Sequence, residues 1–134
     1  MVINKILMIS SKYFFLSILL SLFLTSCYKQ ERNCNDFKTG TFNFTQEIDG
    51  KKHISTFVRT DKFQIESYNG KIDTATVRWV NDCEFILQKI NPKKMQEKKA
   101  ISIKILTTSG KTYTFEYSFV GDTKTQRGIV TKID

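Results

Sequence analysis

The sequence is poor in the residues on which most metal and catalytic sites depend. It contains one histidine, one proline and six glycines in 134 residues. It has no CxxC pair, although structural metal sites need three or four ligands, usually at local spacing. It also has no glycine-rich phosphate loop. The single histidine, His53, follows Lys51 and Lys52 directly after a turn signal, where we expect it to face solvent. The sequence therefore predicts no enzyme, no metal and no cofactor.

Long apolar runs are also scarce, and the one present is short. It covers residues 13–24, about a dozen positions, whereas a helix needs roughly 20 residues to span a bilayer. The run follows two lysines, Lys5 and Lys12, and no acidic residue occurs before Glu31. This order is typical of a signal peptide, so residues 1–26 are predicted to be removed. A permanent transmembrane helix is the weaker alternative.

The end of this segment resembles the lipobox of bacterial lipoproteins. Leu24, Thr25 and Ser26 lead into Cys27, and the resemblance implies cleavage before Cys27 and lipid attached to it. Three fatty chains would hold the protein stably on a membrane. We expect the outer membrane, with the domain facing the periplasm; surface exposure is an alternative. A conventional secretory signal cut near Ser26, with Cys27 left as a thiol, is the other reading of the motif.

The two remaining cysteines then lie in an oxidising compartment. Cys34 and Cys83 are predicted to form a disulfide there. A bond closing a loop of about 50 residues restricts the unfolded chain by roughly 4 kcal/mol. We expect residues 27–35 to be a lipidated tether and residues 36–134 to be one domain.

Apolar residues in that domain alternate with polar ones almost everywhere, which indicates an all-β protein. Asp49-Gly50 and Asn69-Gly70 are strong hairpin signals, because both central residues of a type I′ turn have positive φ. The turns separate eight predicted strands, at residues 38–48, 52–60, 62–68, 71–80, 83–90, 100–108, 111–120 and 124–132. Consecutive antiparallel strands of this length favour a closed eight-stranded up-and-down barrel, which removes exposed edges. A β-sandwich or a curled meander is the alternative.

Large aromatic side chains are predicted to face the inside of the barrel. An eight-stranded barrel can be filled by its own side chains or can hold one small ligand. The number of rings favours a filled interior, and a ligand-holding interior is the alternative. The candidates for core or ligand lining are Phe42, Phe44, Phe63, Trp79, Tyr113, Phe115 and Tyr117.

The charge balance is basic, with a formal net charge of +8. Without Lys5 and Lys12, 19 basic residues stand against 13 acidic ones, which leaves +6. In an envelope compartment this favours an anionic envelope component, such as a lipid headgroup, or an acidic protein partner; solubility alone is the other explanation. Nucleic acid is not expected, because the aromatic rings and the charges lie on opposite strand faces.

Two resemblances follow from particular stretches. Gly40, Thr41 and Phe42 occupy the place of the first-strand motif of lipocalins, which implies a lipocalin-like barrel with Arg127 of the last strand covering the Phe42 ring. DFKTGTFNFTQEIDGKKH and VRWVNDCEFIL resemble a family of short bacterial envelope lipoproteins without established activity. Some of its members bear the label of a DNA topoisomerase IV subunit, but the ATP-binding domain and acidic metal cluster of that enzyme are not recognisable here.

The function predicted from these features is a non-catalytic binding or interaction module, anchored by lipid at Cys27. The alternative is a lipocalin-like carrier that holds one small hydrophobic ligand inside the barrel. The two differ in whether the barrel interior is filled.

Overall fold

A computed structural model of the chain describes Tyr13, Leu16, Ile18 and residues 31–134. Tyr13, Leu16 and Ile18 have helical backbone. Within these described residues, we find no helix with the length and apolar character needed to cross a bilayer. The predicted signal peptide, apart from those three residues, and the predicted lipidation of Cys27 lie outside the described residues.

Eight antiparallel strands form a closed barrel, as the sequence predicted. Each strand pairs with the next, and the last strand pairs with the first. The strands are β1 (Gly40–Ile48), β2 (Lys51–Arg59), β3 (Phe63–Tyr68), β4 (Lys71–Asn81), β5 (Glu84–Lys89), β6 (Ile101–Ser109), β7 (Thr112–Phe119) and β8 (Gln126–Lys132). Closure leaves neither a second sheet nor a free edge in this part of the chain, so the sandwich and the open meander are excluded.

The predicted hairpin turns have the expected backbone. Asp49 and Gly50 have φ of 52° and 74°, and Asn69 and Gly70 have φ of 47° and 72°. Positive φ at both central positions matches the twist of the flanking strands. These two turns join β1 to β2 and β3 to β4 at the same end of the barrel.

The opposite end of the barrel is closed by the segment that precedes β1. A 3-10 turn over Cys34–Phe37 lies there, and the predicted disulfide between Cys34 and Cys83 is confirmed, with an S–S distance of 2.03 Å. The Phe37 side chain is only 1% exposed. The Arg32 guanidinium donates a hydrogen bond to the Ile105 carbonyl at 2.8 Å. The chain is therefore fixed to the barrel from Arg32 onward.

Stacked aromatic rings fill the half of the barrel next to this closed end. Phe42 is fully buried and stacks on Phe57, with ring centroids 5.0 Å apart. Tyr113 meets the Phe42 ring edge-on at 6.2 Å. Trp79 is half-buried and packs on Phe85 at 4.5 Å. Phe42, Tyr113 and Trp79 therefore contribute to the core, as predicted.

Arg59 and Lys132 lie over the Phe42 ring, and Arg127 does not. The Lys132 ammonium is 6.0 Å from the ring centre. The Arg59 guanidinium carbon lies 5.1 Å from the centre of the Phe42 ring. Arg127 lies on the outer face of β8, where it is exposed and approaches Glu116 at 3.4 Å. Residues on successive positions of a strand face opposite sides, and β8 turns Gly128 inward, so Arg127 must face outward.

The prediction that Phe63 lines the interior is wrong. Phe63 is 40% exposed and shares the outer face of β3 with Ile65. The phase of β3 is set by its pairing with β2: Arg59 lies opposite Gln64, and Val58 lies opposite Ile65. Because directly paired residues share a face, the inward-facing Arg59 brings Gln64 inside and leaves Ile65 and Phe63 outside.

Candidate functional site

The second half of the barrel contains a cavity instead of a filled core. Its volume is about 400 Å³, and it reaches the end of the barrel where Ile48 and Lys71 are exposed. Four of the predicted lining residues form part of its wall, namely Phe44, Tyr113, Phe115 and Tyr117. The prediction of a filled interior is therefore wrong for this half.

The aromatic wall depends on a strand position without a side chain. Phe44 and Phe115 meet edge-on, with ring centroids 5.6 Å apart. Between them lies the inward face of Gly128, where a Cβ atom would come within 2.7 Å of Phe115 Cζ and 2.8 Å of Phe44 Cε2. Glycine inside a strand often marks such a close approach. Gly128 therefore lets two large rings form one continuous apolar surface.

Polar side chains surround the mouth of the cavity. The hydroxyl of Tyr68 and Nδ1 of His53 are 2.6 Å apart and share a hydrogen bond. Glu66 and Asp73 lie directly opposite each other on β3 and β4, and both line the cavity. Asp73 forms an ion pair with Lys89 at 3.2 Å. The mouth therefore carries both signs of charge.

The connector between β5 and β6 lies beside this mouth. A second cavity of about 340 Å³ is lined by connector residues, including Gln96 and Lys99, together with strand residues. Gln64, Glu66 and Leu87 are among the residues that line both cavities. The two spaces are therefore adjacent, and the connector forms one wall of the second cavity.

Glu97 anchors this connector to the barrel. Its carboxylate accepts hydrogen bonds from Lys89 Nζ at 2.9 Å and from the backbone N–H groups of Lys93 at 2.7 Å and Lys94 at 3.3 Å. The hydrogen bond from Lys89, followed by that from the Lys93 backbone, lowers the pKa of Glu97 to about 2. Donors that bond the charged form of a carboxylate favour that form.

We expect the connector to stay anchored until the pH falls towards 2. The pKa of Glu97 is below its ordinary value of 4.5, so its stabilising contribution is complete above about 4.5 and is lost as the pH falls through about 2. An NMR titration of the Glu97 side-chain carboxyl should show this midpoint. In Glu97→Gln, the amides of Lys93 and Lys94 should exchange faster than in the wild type at pH values above this midpoint. A midpoint near 4.5 would show that the anchor does not form.

At its inner end the cavity meets a buried guanidinium. Arg59 is 2% exposed and donates from Nε to Gln64 Oε1 at 3.0 Å, from Nη1 to the Phe37 carbonyl at 2.9 Å and from Nη2 to the Tyr113 hydroxyl at 3.1 Å. It also lies 4.3 Å from the centre of the Phe85 ring. In the part of the chain that the structure describes, no carboxylate contacts it. Ring faces and neutral oxygens stabilise this cation.

Tyr113 remains a hydroxyl donor in this position. Burial raises the pKa of its phenol, although the positive charge and hydrogen bond of Arg59 oppose that shift. A desolvated phenolate is costly, so the proton stays on the oxygen. Since that oxygen already accepts from Arg59, its own proton is left for another acceptor.

Sequence reasoning missed several of these polar residues. His53 was expected to face solvent, but it is half-buried and lines the cavity. Neither Arg59 nor Glu66 was singled out from the sequence. Counting alternate positions along β2 from the apolar Phe57 would have placed Arg59, Ser55 and His53 inside.

Comparison with known proteins gives no relative. No protein-family model, curated protein or solved structure matches the chain. Within the described residues, no group of three or more His, Cys, Asp or Glu side chains is placed to hold a metal ion. The shape and chemistry of the cavity therefore carry the functional argument.

Proposed function

We propose that this protein is a non-catalytic binding protein that carries one small amphipathic molecule in the open half of its barrel. The observation that carries the proposal is the cavity of about 400 Å³. Ligand sites usually occupy roughly 300–1,000 Å³ and combine apolar walls with a few polar groups. A water molecule, which has one non-hydrogen atom, occupies roughly 30 Å³ in the liquid, and by that measure the space suits a ligand of roughly a dozen non-hydrogen atoms.

The polar groups of the cavity support binding more than catalysis. His53 shares a hydrogen bond with Tyr68, and Asp73 is paired with Lys89. Arg59 is held by three neutral acceptors. Among the described lining residues no hydroxyl is hydrogen-bonded to a histidine or carboxylate that would activate it as a nucleophile, except Tyr68. Groups fixed in this way orient a guest molecule.

Lipid attachment at Cys27 belongs to the same proposal. The lipobox-like order of residues 24–27 supports it, and the Cys34–Cys83 disulfide suits an oxidising compartment. We place the protein on the outer membrane with its barrel in the periplasm. Intact-mass measurement of protein extracted from envelopes should give a chain that begins at Cys27 and carries fatty chains; an unmodified thiol would contradict the anchor.

Native mass spectrometry of the protein purified from its envelope tests the carrier proposal. We expect one small molecule to accompany the wild-type chain. Ile101 lines both cavities and is only half-buried, so Ile101→Trp should fill the entrance and remove the bound mass. Lys104→Trp adds the same ring to the outer face of the same strand, where Lys104 is exposed, and should retain it.

The two variants make the result decisive. Equal retention by both would show that the bound molecule sits elsewhere on the protein. A wild-type chain that carries nothing, and that takes up no small amphiphile when one is supplied, would leave the interaction module as the better description.

A further inference from the structure

We propose that the inner end of the cavity binds the carboxylate of a ligand whose apolar chain lies along the Phe44 and Phe115 wall. This inference rests on the carrier function proposed above and adds the chemical class of the ligand. It depends on three features: free hydrogen-bond donors, a positive charge without an acidic partner, and acids placed towards the mouth.

Two buried side chains offer unused donors. Ser55 is 7% exposed and Gln64 is 9% exposed, and both line the cavity. The Ser55 hydroxyl makes no hydrogen bond to any described residue. Gln64 uses its Oε1 to accept from Arg59, which turns its NH₂ group away from the guanidinium. Among the described residues, every fully buried side-chain nitrogen or oxygen has a hydrogen-bond partner. Because the Ser55 hydroxyl and the Gln64 NH₂ group have none, they must be accessible, and the accessible space beside them is the cavity.

The charge behind these donors selects an anion. Arg59 donates to an amide oxygen, a backbone carbonyl and a phenol, none of which carries a formal charge. A buried cation without a counter-ion is costly, and an anion two side chains away would reduce that cost. Gln64 and Tyr113 both contact Arg59, so their free donors lie in a region of positive potential, where a carboxylate gains charge-assisted hydrogen bonds. Ser55 precedes Arg59 by four residues on β2 and therefore lies nearer the mouth.

The charges nearer the mouth set the orientation of the ligand. Glu66 follows Gln64 on the inward face of β3 and has Asp73 opposite it, while Lys71 also lines the cavity. Asp73 is paired with Lys89, but Glu66 has no ion pair within the described residues. An anion is therefore repelled by Glu66 on its way in, and it finds its favourable position only beyond it.

Isothermal titration calorimetry with decanoate and its neutral analogue decan-1-ol tests this. The wild-type protein should bind decanoate at least about tenfold more tightly than decan-1-ol, as a hydrogen bond to a charged acceptor contributes at least that much. Gln64→Glu replaces the free amide donor and gives Arg59 an acidic partner at the position of its present acceptor, so it should remove at least about tenfold of decanoate affinity and leave decan-1-ol binding unchanged.

Removing the negative charge of Glu66 should change the decanoate affinity in the opposite direction. Glu66→Gln should tighten decanoate binding about fivefold, as for two like charges under water-like screening, and should leave decan-1-ol binding unchanged. Glu47→Gln is the matched control, because Glu47 is exposed on β1 and does not line the cavity; it should change neither affinity.

The outcomes separate this inference from the carrier function. Equal binding of decanoate and decan-1-ol, or a decanoate affinity that Glu66→Gln does not raise, would overturn the carboxylate site while leaving the carrier in place. Failure of both compounds to bind would overturn the carrier proposal itself.

Discussion

Replacing Cys34 and Cys83 together by alanine should lower the free energy of unfolding by about 4 kcal/mol. The bond joins residues 49 positions apart, and the chain-entropy cost of leaving such a loop open in the unfolded state has this size. It also holds the 3-10 turn that closes the barrel, where Cys34 and Phe37 are buried. A loss of this size is a large fraction of the stability of a small domain. Urea unfolding of the wild-type and double-variant chains measures it.

A reductant provides the control for this prediction. Adding it should bring the unfolding midpoint of the wild-type chain close to that of the double variant, and it should leave the double variant unchanged. If the variant unfolds within about 1 kcal/mol of the oxidised wild type, the disulfide is not what stabilises the closed end.

Phe42→Ala should lower the free energy of unfolding by about 3–5 kcal/mol, the range found for large aromatic side chains in cores. Phe42 is 0% exposed, stacks on Phe57 and supports the Arg59 guanidinium. Truncation removes the apolar area of the ring and also one of the faces that stabilise a buried cation. Urea unfolding at equilibrium measures the difference.

Phe63→Ala is the matched control, because it removes the same ring from the same domain. The sequence suggested that the two positions are equivalent, but Phe63 is 40% exposed on the outer face. We expect a loss below about 1 kcal/mol, as is usual for surface substitutions. Comparable losses at both positions would mean that β3 faces the other way.

The two halves of the barrel differ in packing and in role. The closed half contains the disulfide, the ring stack and the buried Arg59, and it supplies the stability of the domain. The open half keeps its rings on the wall and leaves space between them. An active or binding region that is less densely packed needs such a rigid support to hold its side chains in place.

The sequence determined the fold because the barrel follows from local patterns. Period-two alternation predicted the strands, and turn residues such as Asp49-Gly50 predicted the hairpins. Both signals lie within a few neighbouring residues, so they can be read without knowing the partner strands. The disulfide was also predictable, since only two cysteines remain after the one in the lipobox-like motif.

The tertiary structure decided which way β3 faces, which cations cover Phe42 and whether the interior is filled. Each of these depends on pairing between residues far apart in the chain. Gln64 and Glu66 face inward because of the register in which β3 pairs with β2. The rings leave a cavity because the distance between opposite walls of the closed barrel exceeds what the side chains fill. Alternation along one strand shows that its two faces differ, but only the closed barrel shows which face is inside and how much space it encloses.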